Sequence, residues 1–174
     1  MRRVLVIGCP GAGKSTLTRA LAETLGLPAV YLDRLWWKSG WINRTRAEFD
    51  ARLDAALAGD AWVMDGNYLR TLPRRLERCD AVLFLDYPRR LCLFRALRRI
   101  LRWPGRTRPD MAEGCPERLD PSFIRWSGDF HRTQRPRVLE LLDGGKGEAH
   151  IFRSPAQCAA FLAQQKNQNT PGME

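Results

Sequence analysis

Short apolar runs that stop at glycine or aspartate alternate along the chain with segments of helical period. Arg3-Val4-Leu5-Val6-Ile7 is apolar without alternation and ends at Gly8, the pattern of a parallel strand covered on both faces. Lys14 to Thr24 then places Leu17, Ala20, Leu21 and Thr24 on one helical face. Ala29-Val30-Tyr31-Leu32 predicts a second strand, ending at Asp33. Thr45-Arg46-Ala47-Glu48 has capping-box spacing, and the helix it opens carries Phe49, Leu53, Ala56 and Leu57 on one face before Gly59. Ala61-Trp62-Val63-Met64 predicts a third strand ending at Asp65-Gly66, with a short helix around Pro73 after it. Ala81-Val82-Leu83-Phe84-Leu85 predicts a fourth strand ending at Asp86, which reads as a cap for an arginine-rich helix from about Pro88 to Arg102. A Pro- and Gly-rich stretch over 103–120 is expected to be a loop or small lid. A helix from Asp120-Pro121 with a break near Pro136 follows, then a fifth strand, Ala149-His150-Ile151-Phe152. Ser154-Pro155-Ala156-Gln157 signals the last helix.

Five strands alternating with helices predict an α/β fold with a mostly parallel, doubly wound sheet, whose ligands gather at the carboxyl ends of the strands. Asp33, Asp65 and Asp86 are all expected there. One domain over 1–166, with the lid inserted at about 103–120 and a polar tail over 167–174, accounts for the 174 residues. A chain of this length buries roughly 70% of its unfolded surface and needs no cross-links. The five cysteines lack C-x-x-C spacing, so neither a disulfide framework nor a zinc knuckle is expected. Only Val4–Ile7 precedes Gly8, too short for a signal-peptide core, and no apolar run approaches the ~18 residues of a membrane span. A cytoplasmic protein without a membrane partner, monomeric or homodimeric, is the expectation.

The net charge of +10 comes mostly from arginine, with only four lysines. Arg89, Arg90, Arg95, Arg98, Arg99, Arg102, Arg106 and Arg108 form a block suited to a polyanion: a nucleoside triphosphate, a nucleic acid, or both.

Gly8-Cys9-Pro10-Gly11-Ala12-Gly13-Lys14-Ser15, followed by Thr16, matches G-x-x-x-x-G-K-[ST] between a strand and a helix. Such a match arises by chance on the order of 0.002 times in a chain of this composition. Glycines let main-chain N–H groups converge on phosphate oxygens, and the helix N-terminus adds partial positive charge. Lys14 is placed to reach the β- and γ-phosphates of ATP, and Ser15 to hold Mg²⁺. Asp65 is the favoured carboxylate for the metal, because Asp65-Gly66-Asn67-Tyr68 puts a glycine where backbone passes close to a ligand.

This phosphate loop resembles that of the small phosphate-loop kinases related to adenylate kinase. So do Leu32-Asp33-Arg34-Leu35-Trp36-Trp37 with Gly40-Trp41, Trp62 to Tyr68, and Phe84-Leu85-Asp86-Tyr87-Pro88-Arg89. With Gly105 to Met111 and Gly114 to Arg118, the order is most similar to the set often labelled topology modulation proteins or adenylate-kinase-like proteins. The resemblance spans about residues 2–165. It implies a phosphate-loop NTPase fold with a nucleoside-monophosphate-kinase-like lid, and transfer of a phosphoryl group from ATP, with Mg²⁺, to a small-molecule acceptor. By the resemblance, Arg95, Arg99 and Arg118 are lid arginines that meet the transferring group, and Arg132 or Arg135 is a further finger. The single lid cysteine excludes a four-cysteine zinc lid.

The acceptor side is expected at Asp33, Arg34, Trp37, Asn67 and Arg70. An acid there suits an acceptor hydroxyl, whereas Arg34 and Arg70 suit a phosphorylated acceptor. The tryptophans suit either stacking on a base or capping a core. The alternative from another class is a nucleotide-gated nucleic-acid binder acting on DNA topology, which the basic charge prompts.

Overall fold

A computed structural model describes residues 1–169. Five strands, β1 (Arg3–Gly8), β2 (Ala29–Tyr31), β5 (Trp62–Asp65), β6 (Ala81–Leu85) and β7 (Glu148–Phe152), form one sheet in the order β2-β5-β1-β6-β7. Every pairing in it is parallel. Val4 to Ile7, Val63, Met64 and Ala81 to Leu85 are fully or almost fully buried. Covered on both faces, these central strands have no reason to alternate polar with apolar positions.

The expected second strand is shorter than its apolar run. β2 is an edge strand whose only neighbour, β5, runs out at Asp65 opposite Tyr31. With no ladder left to join, the chain turns into helix α2 (Leu32–Trp36), so Asp33 sits in a first helical turn rather than at a strand end. A small antiparallel hairpin that the pattern did not announce follows, β3 (Trp37–Lys38) and β4 (Ile42–Asn43), turning through Gly40 and Trp41 at φ 75° and 61°.

Helix α1 (Lys14–Leu25) leaves the sheet centre and buries Leu17, Thr18, Leu21 and Ala22. Its N-cap, Gly13, is left-handed and supplies no side-chain cap, so the first N–H groups stay open. Thr45 and Glu48 complete the expected capping box on α3 (Arg46–Leu57). A 3-10 turn at Leu69–Thr71 and helix α4 (Leu72–Leu76) lead to β6, and α5 (Arg89–Arg102) leads to the lid. The break near Pro136 separates α6 (Pro121–Thr133) from α7 (Arg135–Asp143). Asp120, not Asp86, is the capping carboxylate of this region, accepting from the Ser122 and Phe123 amides. Helix α5 has no side-chain cap, and Asp86 instead takes a two-pronged ion pair from Arg135 at 2.7 and 2.8 Å. The last helix, α8 (Pro155–Asn169), continues through the first residues of the expected tail, and 170–174 lie outside the described residues.

The segment over 103–120, expected as a lid, is irregular, pinned by a bridge between Thr107 and Pro116 and by the Glu117 amide on the Arg106 carbonyl (2.9 Å). Met111, Ala112 and Cys115 form a second small core against Trp37 and Trp41. The lid therefore rests on the β3–β4 hairpin: Trp41 Nε1 donates to the Pro116 carbonyl (3.0 Å) and the Gly40 amide to the Gly114 carbonyl (2.8 Å). No helix among the described residues is long and apolar enough to cross a membrane.

Candidate functional site

A cavity of ≈ 1690 Å³ opens at the carboxyl end of the sheet, bounded by the phosphate loop, α2, the 65–69 turn, α5, the lid and α8. A single drug-sized ligand fills roughly 300–1,000 Å³, so there is space for two.

Pro10 to Thr16 line its floor, and Gly8 lies buried beneath. A Cβ on Gly8 would meet the Leu85 carbonyl at 2.6 Å, so Gly8 anchors the loop instead of lining the cavity. The anchor is doubled by Asn67: its Oδ1 accepts from the Gly8 amide (2.9 Å) and its Nδ2 donates to the Gly8 carbonyl (2.7 Å). Asn67, expected on the acceptor, thus spends both ends of its amide holding the loop. Gly11 at φ 82° packs on α5, where a Cβ would stand 2.2 Å from the Cys92 carbonyl. The Cys9 thiol is buried and donates to the Ser127 carbonyl (3.8 Å); its contact with Cys92 and then burial raise its pKa.

Lys14 Nζ crosses the loop to the Cys9 carbonyl at a loose 3.4 Å. Ser15 Oγ donates to Asp65 Oδ2 at 2.5 Å. Asp65 is almost wholly buried, and its second oxygen, Oδ1, has no hydrogen-bond partner. Burial raises its pKa to about 6, against the opposing pull of Lys14 and the Ser15 hydroxyl. A buried carboxylate oxygen without a donor, beside a hydroxyl, fits a hard divalent cation that takes few protein ligands. Among the described residues no cluster of three or more His, Cys, Asp or Glu offers a metal cage.

Across the cavity, Asp33 Oδ1 accepts from the Tyr68 hydroxyl at 2.7 Å. Trp36 and Tyr68 pack against buried Phe49, closing a core, while Trp37 meets Trp41 edge-to-face at 5.2 Å beneath the lid. Arg34 stacks over Tyr31 and donates to the lid carbonyl of Pro109. Arg70 departs from the expectation. It is outside the cavity, forked onto Asp50 of α3 at 2.6 and 3.0 Å.

The basic block divides. Arg95, Arg99, Arg102 and Arg108 line the cavity. Arg95 reaches the Ala12 carbonyl (3.3 Å) and Arg118 covers the Trp41 ring (5.5 Å), and neither pairs with a carboxylate among the described residues. Arg99 and Arg108 share buried Glu117 at 3.0 and 2.7 Å. Burial, then Arg108, lowers the Arg99 pKa, and Glu117 opposes that. Arg132 is exposed and pairs with Asp129 at 3.3 Å, and Arg135 is occupied by Asp86, so neither reaches into the cavity as a further finger. Tyr68, Arg108 and Glu117 enter the site without having been singled out for it. Tyr68, inside the D-G-N-Y run, carried the clearest signal.

No family model matches the chain. It is 30% identical over 108 residues to the adenylate kinase of Clavibacter michiganensis subsp. michiganensis (strain NCPPB 382), covering 60% of this chain and 52% of that one. It is 34% identical over 102 residues to the adenylate kinase of Gloeobacter violaceus (strain ATCC 29082 / PCC 7421), covering 47% and 46%. The chain therefore spans about half the length of the curated relatives it matches. In three dimensions it resembles shikimate kinase from Acinetobacter baumannii in complex with shikimate, with a TM-score of 0.62, 20% identity, and 97% and 92% of the two chains covered. A gluconokinase from Sinorhizobium meliloti 1021 superposes with a TM-score of 0.53 at 20% identity, covering 96% and 94%. The chain has the fold of the small phosphate-loop kinases. The α/β architecture expected from the alternating pattern stands.

Proposed function

We propose that the protein transfers the γ-phosphoryl group of ATP, with Mg²⁺, to a hydroxyl on a small-molecule acceptor. The observation that carries this reading is the pair Ser15–Asp65, with its partnerless Oδ1, at the mouth of the phosphate loop in a cavity shared with Asp33–Tyr68. The main-chain amides of Gly11, Gly13, Lys14, Ser15 and Thr16, together with the Lys14 ammonium, hold the triphosphate. Ser15 and Asp65 hold Mg²⁺, which when bound draws charge from the phosphate oxygens. Arg95, Arg99 and Arg118 face the transferring group and spread its negative charge. Asp33 accepts the hydroxyl proton as the acceptor oxygen bonds to the γ-phosphorus and ADP departs with the cleaved oxygen. Arg34 and Trp37 border the acceptor. The motif order supports the finer placement among the topology-modulation-type proteins. The basic block does not require a nucleic acid, since four of its eight arginines line the small-molecule cavity.

The test is incubation with γ-labelled ATP and a panel of nucleotides, nucleosides and small polyols. A labelled product that requires Mg²⁺ and disappears in Asp33→Asn supports the reading. Label passing to a nucleoside monophosphate with Asp33→Asn fully active would replace the hydroxyl acceptor with a phosphate one.

A further inference from the structure

Arg75 is completely buried, and no carboxylate among the described residues hydrogen-bonds with it, although the charge of Asp65 favours its protonated form. Burial lowers its pKa to about 9, so it remains charged at neutral pH. A buried cation with no carboxylate in direct contact is costly, and its burial is offset here by hydrogen bonds to main-chain carbonyls. Arg75 donates to three successive carbonyls, those of Gly66 (2.7 Å), Asn67 and Tyr68 (3.2 Å). These close the turn after β5. The turn is strained at Tyr68, a non-glycine residue at φ 29° and ψ 66°. It is also pressed against α2, since a Cβ on Gly66 would meet Leu32 Cβ at 2.8 Å.

Each residue of this turn reaches a different part of the cavity. Asp65 carries the partnerless oxygen, Asn67 clasps both backbone groups of Gly8, and Tyr68 binds Asp33. Strain in a turn, fixed by a buried guanidinium whose Nε lacks a partner, is a structural expense that packing alone does not require. We propose that Arg75 is a positioning residue that locks the 66–68 turn, so that one side chain sets both the phosphate loop, through Asn67 and Gly8, and the acceptor carboxylate, through Tyr68 and Asp33. The inference rests on the phosphoryl-transfer reading for its purpose, but its geometry is testable without it.

The experiment uses the whole chain and two variants. Arg75→Lys keeps one amine donor at the position but cannot fork across three carbonyls. Tyr68→Phe removes only the hydroxyl. Three readouts are followed: the Gly8 amide hydrogen exchange, the Asp33 carboxyl ¹³C resonance, and the affinity for Mg²⁺–ATP. In Arg75→Lys, Gly8 exchanges about tenfold faster while Leu5 and Leu83 of the same sheet keep their rates. The Asp33 resonance moves, and Mg²⁺–ATP binds about tenfold more weakly. In Tyr68→Phe the Asp33 resonance moves equally, with Gly8 exchange and Mg²⁺–ATP affinity as in the wild type. A folded Arg75→Lys with Gly8 and Asp33 at wild-type values overturns the proposal, as does uniform acceleration over the sheet. If Arg75→Lys does not fold, the wild type decides. The Arg75 guanidinium protons and the Gly8 amide exchange in one shared opening if the lock exists, and at unrelated rates if it does not. Failure of the wild type to bind Mg²⁺–ATP would reject the phosphoryl-transfer reading and leave the exchange and resonance results to judge the lock.

Discussion

Replacing Glu117 by Gln tests whether one carboxylate fixes the 103–120 segment in place. The perturbation is small in shape and large in charge. Glu117 accepts from Arg99 Nη2 at 3.0 Å and from Arg108 Nε at 2.7 Å, with those arginine side chains only 25% and 13% exposed. At such depth solvent screens little of the attraction. Each bond falls from charge-assisted to neutral strength, a loss of about 1 kcal/mol apiece. The lid is a satellite core of three buried residues, so the roughly 2 kcal/mol appears as local opening rather than global unfolding. That corresponds to about 30-fold faster hydrogen exchange at the lid amides. The amides to watch are Gly105, bonded to the Glu117 carbonyl (3.2 Å), and Glu117, bonded to Arg106 (2.9 Å). Mass-resolved or NMR exchange on Glu117→Gln should show them accelerated while Val6 and Leu83 keep their protection. Unchanged lid exchange would refute the reasoning, and so would equal acceleration throughout the sheet.

Three further outcomes follow from the same geometry. Gly11→Ala should destabilise the fold by about 2–3 kcal/mol in urea unfolding, since its Cβ strikes backbone at φ 82°; Gly13→Ala, with nothing within 4 Å, should lose only about 1 kcal/mol to its left-handed φ. Asp65, raised to about 6 by burial, opposes folding by roughly 3 kcal/mol when ionised; the opposition is absent below its unfolded value near 3.8 and complete above about 6. Asp65→Asn should therefore melt higher than the wild type at pH 7.5, lose that advantage near pH 4, and no longer respond to Mg²⁺; an advantage independent of pH would contradict this. Arg70→Ala should leave phosphoryl transfer unchanged and stability within about 0.5 kcal/mol, because its partner Asp50 lies outside the cavity and the pair is exposed; a tenfold fall in turnover would return Arg70 to the acceptor.

The sheet was legible because its central strands are apolar on both faces and end in glycine or aspartate, a signal local to each segment. The phosphate loop was legible for the same reason, as its chemistry is contained in eight consecutive residues. Long-range pairing was less accessible. Whether Asp86 caps its own helix or takes Arg135, 49 residues away, depends on where α7 passes. Arg70 was drawn to α3 by a carboxylate 20 residues back, and Asn67 to Gly8 across 59. The edge position of β2 moved Asp33 into a helix, which strand propensity could not foretell. Arg75 stands among Arg70, Arg74 and Arg78, and nothing in composition marks it as the buried one.

Calorimetric titration with ATP, with and without Mg²⁺, addresses the central claim most directly. One binding site that requires Mg²⁺, and is lost in a cooperatively melting Lys14→Ala variant, is the predicted result. A wild type that takes up no ATP, or a Lys14→Ala variant that binds it as tightly, would contradict the account.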